Sequence, residues 1–190
     1  MDNKIIVRRP KKNISNSQSF AENFEEYVGY WRANPHRFIT EYLGMTLYGF
    51  QKQVIYTMDT YNYFIYAASR GLAKSTVTLL FACERCILYP GQRIVVVSYE
   101  KGQSASFIEK INEFIAEYPN LANEIAQDGV KTGKNDSRIN FKNGSCIIAK
   151  TLSEGSRGKK LKTCIILINL KGGTYNANNN WMVKRRIRFS

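Results

Sequence analysis

The chain has 190 residues, enough for one domain with a buried core, and 44% of them are hydrophobic. It has no run of eighteen uncharged apolar residues, and its basic start, MDNKIIVRRPKK, lacks the apolar stretch of a secretory signal; a soluble, intracellular protein is expected. The net charge of +13 is uneven: nine Lys or Arg and no acid follow Glu154, and Met1–Lys12 holds the other four charges. The middle of the chain is close to neutral, so total charge is weak evidence for nucleic-acid binding.

Residues 1–20 are basic, then rich in Ser and Asn, and are expected to form a mobile arm. Phe20–Ala33 and Pro35–Leu43 have helical spacing, with Pro35 where a helix start tolerates it and Gly44 closing the pair. Tyr48–Thr60 is a third helix, with Phe50, Val54, Ile55 and Met58 along one face. Tyr63–Ala67 is a short buried strand, Lys74–Leu88 a helix ended by Pro90-Gly91, Arg93–Ser98 a second buried strand and Ser104–Glu117 another helix. This alternation predicts parallel strands joined by right-handed crossovers. A shorter helix is expected near Leu121–Gln127. Arg138–Lys142 and Ser145–Thr151 then alternate around Asn143-Gly144 as a hairpin, and Thr163–Ile168 is a last buried strand. From Lys171 onward the sequence shows no fold signal, and no internal repeat is present.

Cys83 and Cys86 form a C-x-x-C inside an apolar helical pattern, with no second pair and no nearby His, so they are expected to be buried helix cysteines and not zinc ligands. Cys146 and Cys164 complete the inventory. His36, the only histidine, is expected on a helix surface, which argues against His-dependent catalysis.

The chemistry is concentrated between the first strand and the helix after it. Ala68-Ser69-Arg70-Gly71-Leu72-Ala73-Lys74-Ser75 has the length and the Lys-Ser ending of a phosphate-binding loop, and Thr76 follows on the helix. In such a loop the N–H groups of the helix start point at the anion and the helix dipole adds favourable field. Lys74 would neutralise the β- and γ-phosphates of ATP, and the Ser75 hydroxyl would hold Mg²⁺. Both motif glycines are replaced, by Ala68 and Ala73, which serves only if neither position needs a positive φ. The plain alternative is a small-residue turn that binds nothing.

Taken together, these motifs resemble the ATPase domain of the large terminase subunit, the motor that packages DNA into phage heads. The resemblance covers about residues 30–160 and rests on the order of motifs: Gln51 in YGFQKQ, Ser69-Arg70 before the lysine, Pro90-Gly91 before RIVVVSYEKGQSA, and FKNGSCIIAK followed by Ser156-Arg157-Gly158. It implies a P-loop ATPase-type α/β fold, a mostly parallel sheet with helices on both faces, over residues 21–168, preceded by the arm and followed by a basic Asn/Gly-rich tail at 169–190. It further implies that Gln51 contacts adenine, that Arg70 stabilises charge on the γ-phosphate as an arginine finger does, and that Ser156, Arg157 and Gly158 link the nucleotide site to DNA. Implied partners are double-stranded DNA, a capsid portal, a small terminase subunit and further copies in a ring, with no membrane, in the host-cell cytoplasm at the procapsid.

The chain departs from that pattern where hydrolysis is carried out. Terminases follow the strand after the Arg-Gly loop with an Asp that supports magnesium and a Glu that activates water. Here Thr163–Ile168 runs into Asn169, Leu170 and Lys171, with no carboxylate after Glu154. The chain is therefore expected to bind nucleotide and hydrolyse it poorly, as an incomplete copy. Truncation after a reading-frame change and divergence to a non-hydrolytic protein both explain it. A helicase-like translocase fragment and a non-enzymatic basic nucleic-acid-binding protein are the competing functions.

Overall fold

The computed structural model describes residues 17–68, 71–98, 101–132, 136–151, 163–169 and 180–186. Of the arm expected over residues 1–20, the first sixteen lie outside the described residues, and helix α1 (Ser17–Ala33) takes in the rest. After it come α2 (Pro35–Glu41), α3 (Gly49–Thr60), β1 (Tyr63–Ala68), α4 (Lys74–Leu88), β2 (Arg93–Ser98), α5 (Lys101–Glu117) and α6 (Pro119–Glu124). Strands β3 (Ile125–Thr132), β4 (Asp136–Phe141), β5 (Cys146–Thr151), β6 (Thr163–Asn169) and β7 (Asn180–Arg186) complete the fold.

The strands form one seven-stranded sheet in the order β1-β7-β6-β2-β5-β4-β3. Strand β2 pairs parallel with β5 and with β6, and the other four neighbouring pairs are antiparallel. The protein is thus mixed α/β, and the expected mostly parallel sheet is corrected to a mostly antiparallel one. The cause is local. Strands β3, β4 and β5 follow one another through connections too short for a crossover, so they can only meet antiparallel. Strand β7, in the stretch where no fold signal was expected, enters between β1 and β6 in the reverse sense.

The helices expected on both faces pack, among the described residues, on one. Ile94 and Val96 of β2, Ile147 and Ala149 of β5, Ile139 of β4 and Ile165 of β6 join the buried side chains of α2 to α6 in a single core. Paired residues share a face, and the other face holds a smaller cluster of strand residues alone, Val95, Val97, Cys146 and Ile148. The helix expected to continue to Gln127 stops at Glu124, and β3 begins at the next residue. The Asp128-Gly129 step hides this strand from sequence. Asp128 has φ 52°, and the pairing with β4 shifts between Ile125 and Val130, so side-chain alternation is broken by a bulge.

The Asn143-Gly144 hairpin forms as expected, though through a wider turn: Gly144 N donates to Phe141 O at 3.1 Å and Phe141 N to Ser145 O at 2.9 Å. Gly144 takes φ 80°, the left-handed step that ends such a turn. Cys83 and Cys86 are fully buried on α4, and burial pushes both thiols upward, which leaves them unreactive. His36 differs from expectation in being half-buried on α2, edge-on to Tyr56 at 6.2 Å; burial, then the charge of Arg37, lowers its pKa.

One ion pair crosses the helical layer. Arg85 of α4 meets Asp59 of α3 at 2.5 Å, with side chains 5% and 10% exposed. Removing one partner of a buried pair strands the other charge, at a cost of about 3–5 kcal/mol. Asp59→Ala should therefore lower the free energy of unfolding in urea by roughly that amount, and Asp59→Ala combined with Arg85→Met should recover much of the loss.

Candidate functional site

The site is assembled at one edge of the sheet. Strand β1 runs antiparallel to β7, and β7 antiparallel to β6, so β1, β6, β2 and β5 all end at the same edge. There Ala68 pairs with Asn180, and Asn180 with Asn169, which sets the ends of β1 and β6 two strands, about 10 Å, apart. Ser98, buried at the end of β2, pairs with Leu167 on one side and Thr151 on the other. In open sheets with parallel strands this carboxyl edge is where ligands bind.

Helix α3 is joined to β1 only by Tyr61 and Asn62 and packs against it. Gln51 lies in the first turn of α3. Contrary to the usual exposure of a lone helical Gln, it is 6% exposed, and its Oε1 accepts the Tyr48 N–H at 2.9 Å, capping α3. The Gln51 carbonyl oxygen is thus committed to the helix start, a role sequence alone did not indicate.

Between β1 and α4 the chain turns through two left-handed residues, Gly71 at φ 86° and Ala73 at φ 50°, ψ 28°. Ser69 and Arg70 lie outside the described residues, as do Ser156, Arg157 and Gly158, so the roles expected of them stay with the sequence. Ala73 is the N-cap of α4 and has no side chain able to accept a bond from the first turn. Its carbonyl takes the Val77 N–H at 2.9 Å, which closes the helix behind it. The N–H groups of Lys74, Ser75 and Thr76 belong to the first turn, which has no acceptor within the helix. Leu72 and Ser75 are exposed, Thr76 is half-buried, and Lys74 is buried, which lowers its ammonium pKa by desolvation.

The opposite end of α4 is tied off. Arg32 Nε and Nη2 donate to Leu88 O at 2.9 and 2.6 Å, and Asn143 Nδ2 donates to Cys86 O and Ile87 O at 2.8 and 3.1 Å. Ser145 Oγ donates to Tyr89 O at 3.3 Å. A cavity of about 270 Å³ opens at this far end, lined by Trp31, Phe38, Tyr42 and Leu88 among others. Its polar rim is engaged within the fold, Tyr42 donating to Glu124 Oε1 at 2.5 Å and Asn143 to the helix carbonyls. The two ends of α4 therefore differ: the negative end is neutralised by protein groups, while the N-cap at the positive end makes no side-chain bond and Lys74 beside it is buried.

No family model matches the chain, and no curated protein matches it. Among the described residues no three His, Cys, Asp or Glu gather in a group that could hold a metal, and no helix is long and apolar enough to cross a membrane.

The condition under which alanine could stand for glycine, that neither position takes a positive φ, fails at Ala73, which is held left-handed at φ 50°. An L-residue held left-handed costs about 1–2 kcal/mol, partly offset by the entropy a glycine would lose. Ala73→Gly should leave stability unchanged or raise it by up to about 1 kcal/mol. Ala73→Val, branched at the β-carbon, should lower it by about 2 kcal/mol. Thermal and urea unfolding of both variants measure this.

Proposed function

We propose that this chain is the nucleotide-binding part of a DNA-packaging ATPase similar to the large terminase subunit, with a P-loop ATPase as its parent fold. The observation that carries the reading is the start of α4: a strand-to-helix turn through Gly71 and Ala73, no side-chain cap, and the buried cation of Lys74. N–H groups at a helix start and a lysine beside them suit a polyphosphate, because both place positive charge where an anion would sit.

In this reading the backbone of Gly71–Thr76 cradles the phosphates and Lys74 sets its charge against the β- and γ-groups. The Ser75 hydroxyl is the side chain that would hold Mg²⁺, and its exposure at the first turn fits that use. Magnesium bound there would neutralise phosphate charge. Gln51, in the first turn of α3, would contact the adenine. Arg70 would act on the γ-phosphate and Arg157, with Ser156 and Gly158, on coupling to double-stranded DNA. Asn169 stands at the end of β6, where the resemblance requires an Asp. An amide carries no charge and takes no proton, so hydrolysis is impaired while binding is kept. The portal, the small subunit, a ring of copies and the host cytoplasm at the procapsid belong to the same proposal.

Mg-ATP should bind the folded chain in calorimetry, and Lys74→Ala should weaken it by about ten- to a hundredfold, the worth of a charge-assisted bond. Equal affinity in wild type and variant would remove the assignment. The pH dependence has a definite sign. Burial lowers the Lys74 pKa from 10.5, so in the free protein the charge is lost at lower pH than in an exposed lysine. Affinity should accordingly begin to fall below that value as pH rises, and Lys74→Arg should flatten the decline. Fold stability runs the other way: the unfolded lysine keeps its proton longer, so across that window this group's contribution favours the fold as pH rises. Purified wild-type chain should turn over ATP at background. Asn169→Asp should lower the magnesium concentration that gives half-maximal nucleotide binding.

A further inference from the structure

The two edges of the sheet are built differently. At one edge β3 carries the bulge at Asp128, and a Cβ on Gly129 would lie 2.6 Å from Asn140 O and 2.7 Å from Ala126 O. Lys131 adds an exposed charge to it. Bulges and charges are how proteins keep a sheet edge from pairing with another chain. At the other edge β1, Tyr63-Phe64-Ile65-Tyr66-Ala67-Ala68, has no charge, no glycine and no proline, and pairs with β7 over six residues without a shift. Tyr63 and Ile65 are 69% and 60% exposed, and Tyr61 just before them 59%. Among the described residues no strand lies on the outer side of β1.

We propose that β1 is a dimerisation edge and that its occupant is β1 of a second copy of this chain, paired antiparallel about a two-fold axis at Ile65. The sequence is self-complementary in that register. Ile65 meets Ile65 of the partner subunit, and Phe64 meets Tyr66 of the partner subunit, so aliphatic faces aliphatic and aromatic faces aromatic. The absence of charge in β1 matters here, because two chains of net charge +13 then approach along an edge strand where like charges do not meet. Pairing edge to edge buries little side-chain area, less than the roughly 1,000 Å² of a stable interface, so the dimer is held mainly by main-chain bonds and is weak and concentration-dependent. It joins two sheets into one across the two-fold.

Sedimentation equilibrium of the full chain from low to high micromolar concentration should show a reversible monomer–dimer exchange. Ile65→Lys, at an exposed position, should raise the dissociation constant at least about tenfold with an unchanged circular dichroism spectrum. Ile65→Cys places two thiols about 4.5–5.5 Å apart between α-carbons, within disulfide reach. Mild oxidation should give a covalent dimer with this variant, but not with the unmodified chain or with Lys131→Cys on the guarded edge. A chain that stays monomeric throughout, a dimer indifferent to Ile65→Lys, or an Ile65→Cys variant that never cross-links would each overturn the proposal. Lys74→Ala should dimerise like wild type, so the outcome is separate from that of nucleotide binding.

Discussion

Helix α4 passes through the middle of the protein with twelve of its fifteen residues buried, and the rest of the structure is arranged to make that possible. A helix this enclosed cannot leave its ends to water. Its last carbonyls are answered one by one, by Arg32 reaching from α1 and by Asn143 and Ser145 of the β4–β5 turn. The hairpin is therefore more than a way to reverse the chain: its turn serves as the missing cap of a helix more than fifty residues earlier. The partial negative charge of that terminus is met by a guanidinium, the most favourable group for it. At the other terminus, among the described residues, the N-cap Ala73 supplies no side-chain bond to the first turn.

The charged residues inside the helical layer follow from the same enclosure. Arg85 turns inward on α4 and is tolerated because Asp59 meets it and because the Tyr89 ring lies 4.3 Å from its guanidinium carbon. Arg32 approaches the same ring at 4.8 Å. Burial is the larger influence on the Tyr89 phenol and raises its pKa, with the Arg85 charge opposing. The contact helps to pin α1 and the end of α4 around one aromatic group.

What the sequence made legible was whatever local pattern dictates. Lys74–Leu88 and Arg93–Ser98 were expected with the bounds they have, since an apolar run between a small-residue loop and Pro90-Gly91 leaves little choice. Three things were hidden, each for a physical reason. The left-handed backbone of Ala73 is a property of the loop path, and alanine advertises no such conformation. The burial of Gln51 depends on a bond to the Tyr48 N–H that spacing alone does not demand. The sense of the sheet depends on β7, whose Asn, Trp, Met, Val, Lys and Arg do not alternate, and which is recognisable as a strand only through its neighbours β1 and β6. The candidate site was visible as a loop, then, and the common direction of β1 and β2 was expected, but the reversed strand that separates β1 from β6 was not.

The position of β7 also sets the order in which the protein can be made. Among the described residues β1 pairs with the sheet only through β7, which leaves the ribosome long after it. During synthesis β1 and its neighbouring loop must wait for their strand partner, with Phe64 and Tyr66 against the helical core, while β2, β5 and β6 pair beside them. Such a long sequence separation slows closure and leaves an aromatic strand uncovered in the meantime. The loop before α4 would thus be among the last parts to take its final shape, set by the completed sheet and not by the nascent helix.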